Sequence, residues 1–274
     1  MRSTPHEVPP RGAWRRRLAA ARLIVRNLRA NRGELEGITG WDTVRIWRYA
    51  TANVATKHNV SFMESPRFSA AYDASMLAAR RDHWNAGMHF RIHQALWCAD
   101  VGLRLGGNFV ELGTGRGMTF AAILTSIDDW NRRSTTAYLF DTFESAVIDA
   151  GTGLQDASLG SSPVYAESLT ATRETFATWE RVRLIPGLLP QSLQTVDVGR
   201  IGFLHIDLNT PSAEVESLRA LWPRLLPGAP VLLDDYAHVN SEPQYEAMNA
   251  VAAELGVSIL TLATGQGLII TPPR

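Results

Sequence analysis

The chain has a single cysteine, Cys98, among its 274 residues. That excludes an intramolecular disulfide and fits a reducing cytoplasm. No run approaches the roughly 20 apolar residues that a helical membrane span needs. An excess of charge of either sign is missing as well: 27 basic residues stand against 27 acidic ones, and the isoelectric point is near 7.1. Such a balance gives no general attraction to nucleic acid, which is not expected as a partner, or to a membrane. Lysine is nearly absent, since only Lys57 among the 27 basic residues is not arginine. Histidine and cysteine nowhere show zinc-site spacing, and no internal repeat or low-complexity tract is present.

What is there falls into three parts. Residues 1–40 form a basic segment whose first 32 residues hold nine arginines against the one acid Glu7. Its first twelve residues are rich in Pro and Arg and read as disordered. From Trp14 to about Arg29, the apolar Leu18, Ile24, Val25 and Leu28 recur at helical spacing among arginines. Such a basic helix can lie on an anionic membrane surface as a peripheral contact, or pack on its own domain or a second subunit. Arg22 and Arg26 interrupt LAAARLIV, which argues against a signal peptide. Residues 41–106 read as helical, including MLAARRDHW and FRIHQALWCADVGLRL, and suit a lid or substrate region. Aromatics there, among them Trp41, Trp47, Tyr49, Phe62, Tyr72, Trp84, Phe90 and Trp97, can stack on sugar faces or simply build core. Residues 107–274 alternate short β-rich runs with amphipathic helical stretches, the pattern of a doubly wound α/β sheet. A long insertion over 145–180 begins rich in Gly and Ser and ends in a helical pattern, YAESLTATRETFATW; long connections often cover active sites.

The chemistry-bearing residues sit at strand ends. The run Asn108-Phe-Val-Glu-Leu leads into Gly113-Thr114-Gly115-Arg-Gly117, and a helix pattern follows. Glycines there let the backbone approach a ligand, and the helix start offers free N–H groups. Dinucleotide enzymes use a similar turn, but Met118 breaks the G-x-G-x-x-G pattern that starts at Gly113. Glu111, two residues before that glycine, disfavours a pyrophosphate. It suits a ligand carrying a sulfonium and an amino group, such as S-adenosylmethionine (SAM). Asp141 closes the next strand within YLFDTFES, where an acid accepts hydrogen bonds from ribose hydroxyls; a helix N-cap is the plainer role.

Asp207 closes IGFLHI, and Asp234-Asp235 close PVLL. In a doubly wound sheet these ends share one edge, where three acids repel one another unless a cation neutralises them. Oxygen-only ligands suit Mg²⁺ or Ca²⁺, and such an ion acidifies and orients a substrate hydroxyl. The alternative is that Asp207 and Asp235 cap the helices that follow.

Taken together, FVELGTGRG, YLFDTFES, RLIPGLLPQSL, FLHIDLNTPSAEVESLRALWPRLLPGAPVLLDDYA and LATGQGLII resemble the macrocin O-methyltransferase (TylF-type) family, collinearly over about residues 90–271. The resemblance implies a class I methyltransferase (Rossmann-like) sheet of seven strands with the last pair antiparallel. It implies SAM over Glu111, Gly113, Thr114, Gly115 and Gly117, with the ribose near Asp141. Asp207, Asp234 and Asp235 match the family's magnesium ligands, and sugar hydroxyls of natural products or glycans are the implied acceptors. Family members often carry a second acid two residues beyond the Asp207 position, where this chain has Asn209, an amide that cannot serve as base. The base is then sought in Asp207 itself, in His205 or His238, or in the group His83, His89 and His93, because imidazole titrates near neutrality. Rival readings are a catechol-type or other small-molecule O-methyltransferase and a non-catalytic SAM-fold subunit. A homodimer is the expected assembly.

Overall fold

The computed structural model describes residues 49–51, 54–56, 58–79, 87–143, 169–239 and 241–273. Contacts divide the chain into Met1–Trp47 and Arg48–Arg274, and everything described lies in the second unit. The basic segment 1–40, its expected helix and membrane contact, His83, and residues 145–168 of the insertion all lie outside the described residues.

Seven strands form the main sheet: β3 (Asn108–Leu112), β4 (Ala137–Asp141), β5 (Val182–Pro186), β6 (Ile201–Ile206), β7 (Pro230–Leu233), β8 (Leu260–Thr261) and β9 (Gly267–Ile270). Their order is β5-β4-β3-β6-β7-β9-β8. The first five run parallel, and β9 pairs antiparallel with β7 and with β8. This is the doubly wound sheet expected, with its antiparallel end. Before it come a hairpin, β1 (Tyr49–Thr51) and β2 (Val54–Thr56), and the helices α1 (Pro66–Ala78) and α2 (His89–Leu105). The hairpin lies in a stretch read as helical. Thr51, Val54 and Thr56 are β-branched and lose rotamer freedom in a helix, which favours the extended form. Of MLAARRDHW, Met76–Ala78 belong to α1, and residues 80–84 lie outside the described residues.

Strand alternation sorts the core into two layers. Phe109, Leu139, Phe203 and Leu232 point to the side that holds α1, α2 and α3 (Met118–Ser126). Val110, Leu112, Leu204, Ile206, Val231 and Leu233 point to the other, against α5 (Pro211–Leu221) and α6 (Glu242–Glu254). The remaining helix, α4 (Leu169–Phe176), precedes β5 and is the part of the helix expected within 145–180 that is described.

Helix α2 sits unusually close to β6. A Cβ on Gly102 would lie 2.6 Å from the Gly202 carbonyl oxygen, so two glycines let helix backbone rest on strand backbone. From Gly102 back to Arg91 the helix covers about 16 Å at ~1.5 Å per residue. From Gly202 forward to Asp207 the strand covers about the same distance at ~3.3 Å per residue. The start of α2 is thereby brought over the carboxyl ends of the strands, where ligands of such sheets bind.

Candidate active site

The strand order reverses between β3 and β6, and the glycine turn and Asp207 flank that point. Gly113 has φ +86°, and a Cβ there would meet the Asp207 carbonyl oxygen at 1.8 Å, so only glycine fits between the two strand ends. Gly117, φ +83°, starts α3 and faces the Phe176 ring of α4, which a Cβ would approach to 2.4 Å. Gly115, φ +51°, has open space where a side chain would begin. A turn packed tightly at both ends and open in the middle can receive a ligand against its backbone. Thr114 is buried and its hydroxyl donates to the Phe140 carbonyl at 3.4 Å, while Thr172 Oγ1 donates to the Gly115 carbonyl at 3.1 Å.

Asp141 accepts the Gly115 N–H at 2.7 Å through Oδ2 and the Phe143 N–H at 2.8 Å through Oδ1. It therefore shapes the glycine turn and caps no helix. A carboxylate offers about four lone-pair sites, so acceptor capacity remains for a ribose.

Glu111 and His205 stand side by side because β3 and β6 pair them in register on the face toward α2. Both are buried, at 2% and 0% exposure, and His205 Nδ1 lies 3.0 Å from Glu111 Oε1. Burial pushes the Glu111 carboxyl above its ordinary range, against the pull of His205. Among the described residues its Oε2 is buried without a hydrogen-bond partner. An orphaned carboxylate oxygen beside an open glycine turn fits the cationic donor proposed for this cleft. Burial opposes protonation of His205, but Asp234 and Glu111 outweigh it and its pKa is pushed up to about 10. His205 Nε2 lies 3.7 Å from Asp234 Oδ1. His205 thus bridges the glycine-turn side to the acid side and faces no open space.

Asp207, Asp234 and Asp235 do come together: one carboxylate oxygen from each lies within 4.8 Å of the others. Among the described residues no other such group of His, Cys, Asp and Glu forms. Neither Asp207 nor Asp235 caps a helix, since α5 starts from Thr210 and α6 from Ser241. Burial and the two neighbouring acids raise the Asp207 carboxyl well above the ordinary carboxylate range. Burial and Asp234 also raise Asp235. Burial would raise Asp234 too, yet Arg91 and His205 prevail and hold it low. The donor set, all oxygen and half-buried, fits a hard divalent cation.

Arg91 is the site residue that sequence reasoning missed. From the first turn of α2, its Nη2 contacts the Asp234 carboxylate. The same atom donates to the Asp234 main-chain oxygen at 2.7 Å and to Asp235 Oδ1 at 3.1 Å. Gln266 Nε2 donates to Asp234 Oδ1 at 2.7 Å. Parity along β7 puts Asp234 on the α2 side, two residues after Leu232, but does not name its partner there.

The other histidines stand elsewhere. His238 is exposed, its Nδ1 near the Val239 carbonyl at 3.1 Å. His89 stacks on Tyr72 at 4.1 Å and His93 on Phe62 at 4.0 Å, and burial lowers the pKa of both. Asn209 has φ +54°, a left-handed backbone that Asn adopts more readily than most residues.

Residues 110–236 match the model of a methyltransferase domain. Over 197 residues the chain is 26% identical to the 8-demethyl-8-(2,3-dimethoxy-alpha-L-rhamnosyl)-tetracenomycin-C 4'-O-methyltransferase of Streptomyces olivaceus, covering 65% of this chain and 76% of that one. Over 195 residues it is 24% identical to the demethyldecarbamoylnovobiocin O-methyltransferase of Streptomyces niveus, covering 63% and 73%. The fold is shared with the solved O-methyltransferase NovP, with a TM-score of 0.57, 22% identity and coverage of 67% and 80%. No helix among the described residues is long and apolar enough to cross a membrane.

Proposed function

Starting from a chain that is a SAM-dependent O-methyltransferase, we propose that it methylates a sugar hydroxyl of a glycoconjugate, polysaccharide or natural product with the help of a divalent cation such as Mg²⁺. The observation that carries this reading is the convergence of Asp207, Asp234 and Asp235 beside the glycine turn. The kinship to a rhamnosyl 4'-O-methyltransferase supports the acceptor class, as does the macrocin-type resemblance of the strand-end motifs.

In this reading Glu111, Gly113, Thr114, Gly115, Gly117 and Asp141 hold SAM. The Glu111 carboxylate would offer its Oε2 to a cationic group, and the remaining acceptor capacity of Asp141 would suit hydroxyl donors. Bound there, SAM supplies an electrophilic methyl on a sulfonium, and a divalent ion on the three aspartates supplies Lewis acidity toward the acceptor hydroxyl. Asp207 would accept the proton of the acceptor hydroxyl. His205 acts as a positioning residue, holding Glu111 on one side and facing Asp234 on the other. His238 is exposed, with Nδ1 turned to the Val239 carbonyl, and takes no part in this reading.

Asp207→Asn tests the reading. Turnover of a rhamnoside acceptor should fall by about 10²-fold or more, the usual contribution of a positioned base. SAM affinity by calorimetry should stay within about threefold, a loss under 1 kcal/mol. Unchanged turnover removes Asp207 as the base, and unchanged turnover of the wild type after exhaustive chelation removes the metal. Preference for a catechol over any glycoside removes the acceptor class. Light scattering on the same preparation reports whether the expected homodimer forms.

A further inference from the structure

We propose that Arg91 and the divalent cation compete for the acid triad, so that this chain loads the ion only when the guanidinium releases Asp234 and Asp235. The inference rests on the cation reading given above and goes beyond it by assigning a role to a residue that reading does not use.

Three observations support it. The first is occupancy. Asp234 takes the Arg91 Nη2 on Oδ2, and on Oδ1 it takes Arg91 Nε at 3.3 Å and Gln266 Nε2 at 2.7 Å. Of about four lone-pair sites on a carboxylate, three are in use. The second is position. Arg91 spans Asp234 and Asp235, and its side chain is only 12% exposed, so the cation and the guanidinium would share one partly dry space. Like charges so close repel strongly when little water screens them. The third is anchoring. The body of α2 is set by the Gly102–Gly202 contact far from Arg91, and Met88 caps the helix start without a side-chain hydrogen bond. Arginine's long stem can therefore swing away while the helix keeps its seat.

The arrangement solves a problem of the metal-free chain. Three carboxylates within 4.8 Å would repel one another, and Arg91 neutralises part of that charge. The cost falls on ion affinity, which becomes weak and readily reversible.

The test uses the full chain and Mn²⁺ as probe, with free ion read by electron paramagnetic resonance and heats by calorimetry. Arg91→Met removes the charge, and Arg91→Lys keeps the charge but loses the two-pronged contact. We expect Arg91→Met to bind Mn²⁺ about tenfold tighter than wild type, or more, within the usual range for coupled sites. Arg91→Lys should fall between the two. In the same samples Mn²⁺ should raise the Tm of Arg91→Met more than that of wild type. Equal affinities in all three overturn the competition and leave the cation reading standing. Tighter binding by Arg91→Met with Arg91→Lys unchanged also overturns it, since that pattern reports only a distant field. If neither wild type nor variants bind Mn²⁺, the cation reading itself fails and takes this inference with it. Should Arg91→Met not fold by circular dichroism, the comparison of Arg91→Lys with wild type decides alone.

Discussion

A methyl group added to each of three glycines separates the roles of the turn. At Gly113 the new Cβ must move from 1.8 Å to beyond 3.0 Å from the Asp207 carbonyl oxygen. The β3 and β6 ends must part, which endangers the Asp207 N–H to Leu112 carbonyl bond of 2.8 Å. An L-residue in left-handed backbone costs about 1–2 kcal/mol, and one lost backbone bond adds about 1 kcal/mol. With strain in the separated strands, Gly113→Ala should lose about 2–4 kcal/mol. For a domain of this size that lowers Tm by about 5–15 °C.

Gly115→Ala and Gly256→Ala carry the same conformational cost, at φ +51° and +69°, and neither new methyl meets an atom within 4 Å. Both should lose about 1 kcal/mol, or a few degrees in Tm. They should part company in calorimetry with SAM. Gly115 lies in the turn proposed to hold SAM, so its methyl should weaken SAM by about tenfold or more, a difference of about 1.4 kcal/mol. Gly256, beyond the end of α6, should leave SAM binding as it was. Gly113→Ala should lose both stability and SAM. If Gly115→Ala binds SAM as wild type does, the cofactor does not approach the backbone at that turn, and the site has been drawn in the wrong place.

Two further predictions concern buried titratable groups. Cys98 is 1% exposed, and burial pushes its thiol up to about 12, so the native chain should not react with a thiol reagent at pH 8 and should react fully in denaturant; a fast native reaction would contradict the packing of α2. Glu214 is raised to about 8 by burial and by Asp235, against hydrogen bonds from the Leu208 and Asn209 N–H groups. The folded chain then holds a proton there that the unfolded chain gives up near 4.5, so this group's contribution to stability falls as pH climbs from about 4.5 to about 8. Glu214→Gln should match wild type near pH 4.5 and exceed it by about 1–3 kcal/mol above pH 8 in denaturant titrations; a gap that stays constant with pH would show that Glu214 is ionised throughout.

The strand ends were legible because their signal is local. An apolar run followed at once by an acid or by glycine marks the carboxyl end of a buried strand. NFVEL, TTAYLFD, RVRLIPG, IGFLHI and PVLL each contain an observed strand. Reading the acids as helix caps failed because the caps came from Thr210 and Ser241, several residues further on. The hairpin at residues 49–56 escaped because three-residue strands are too short to show a period of two. Part of the Glu111–His205 pair was within reach: each is the polar residue two positions before the last strand-end landmark, Gly113 in one case and Asp207 in the other. Parallel strands in near register place such residues side by side.

Arg91 had no comparable signal. It is 143 residues from Asp234, on a helix whose pattern says only that one side is buried. What aims it is the Gly102–Gly202 contact, a fact of packing that neither segment reveals alone. Strand pairing, together with that contact, joins the acids and the glycine turn electrically as well as in space. Glu111 lies 3.0 Å from His205, His205 lies 3.7 Å from Asp234, and Arg91 closes onto Asp234 and Asp235. Opposite charges alternate along that line from the orphaned Glu111 oxygen to the triad. A cation arriving at one end and a sulfonium arriving at the other therefore act on one chain of buried charges. Binding of SAM and binding of the ion should not be independent, and by linkage each must change the other's affinity by the same factor.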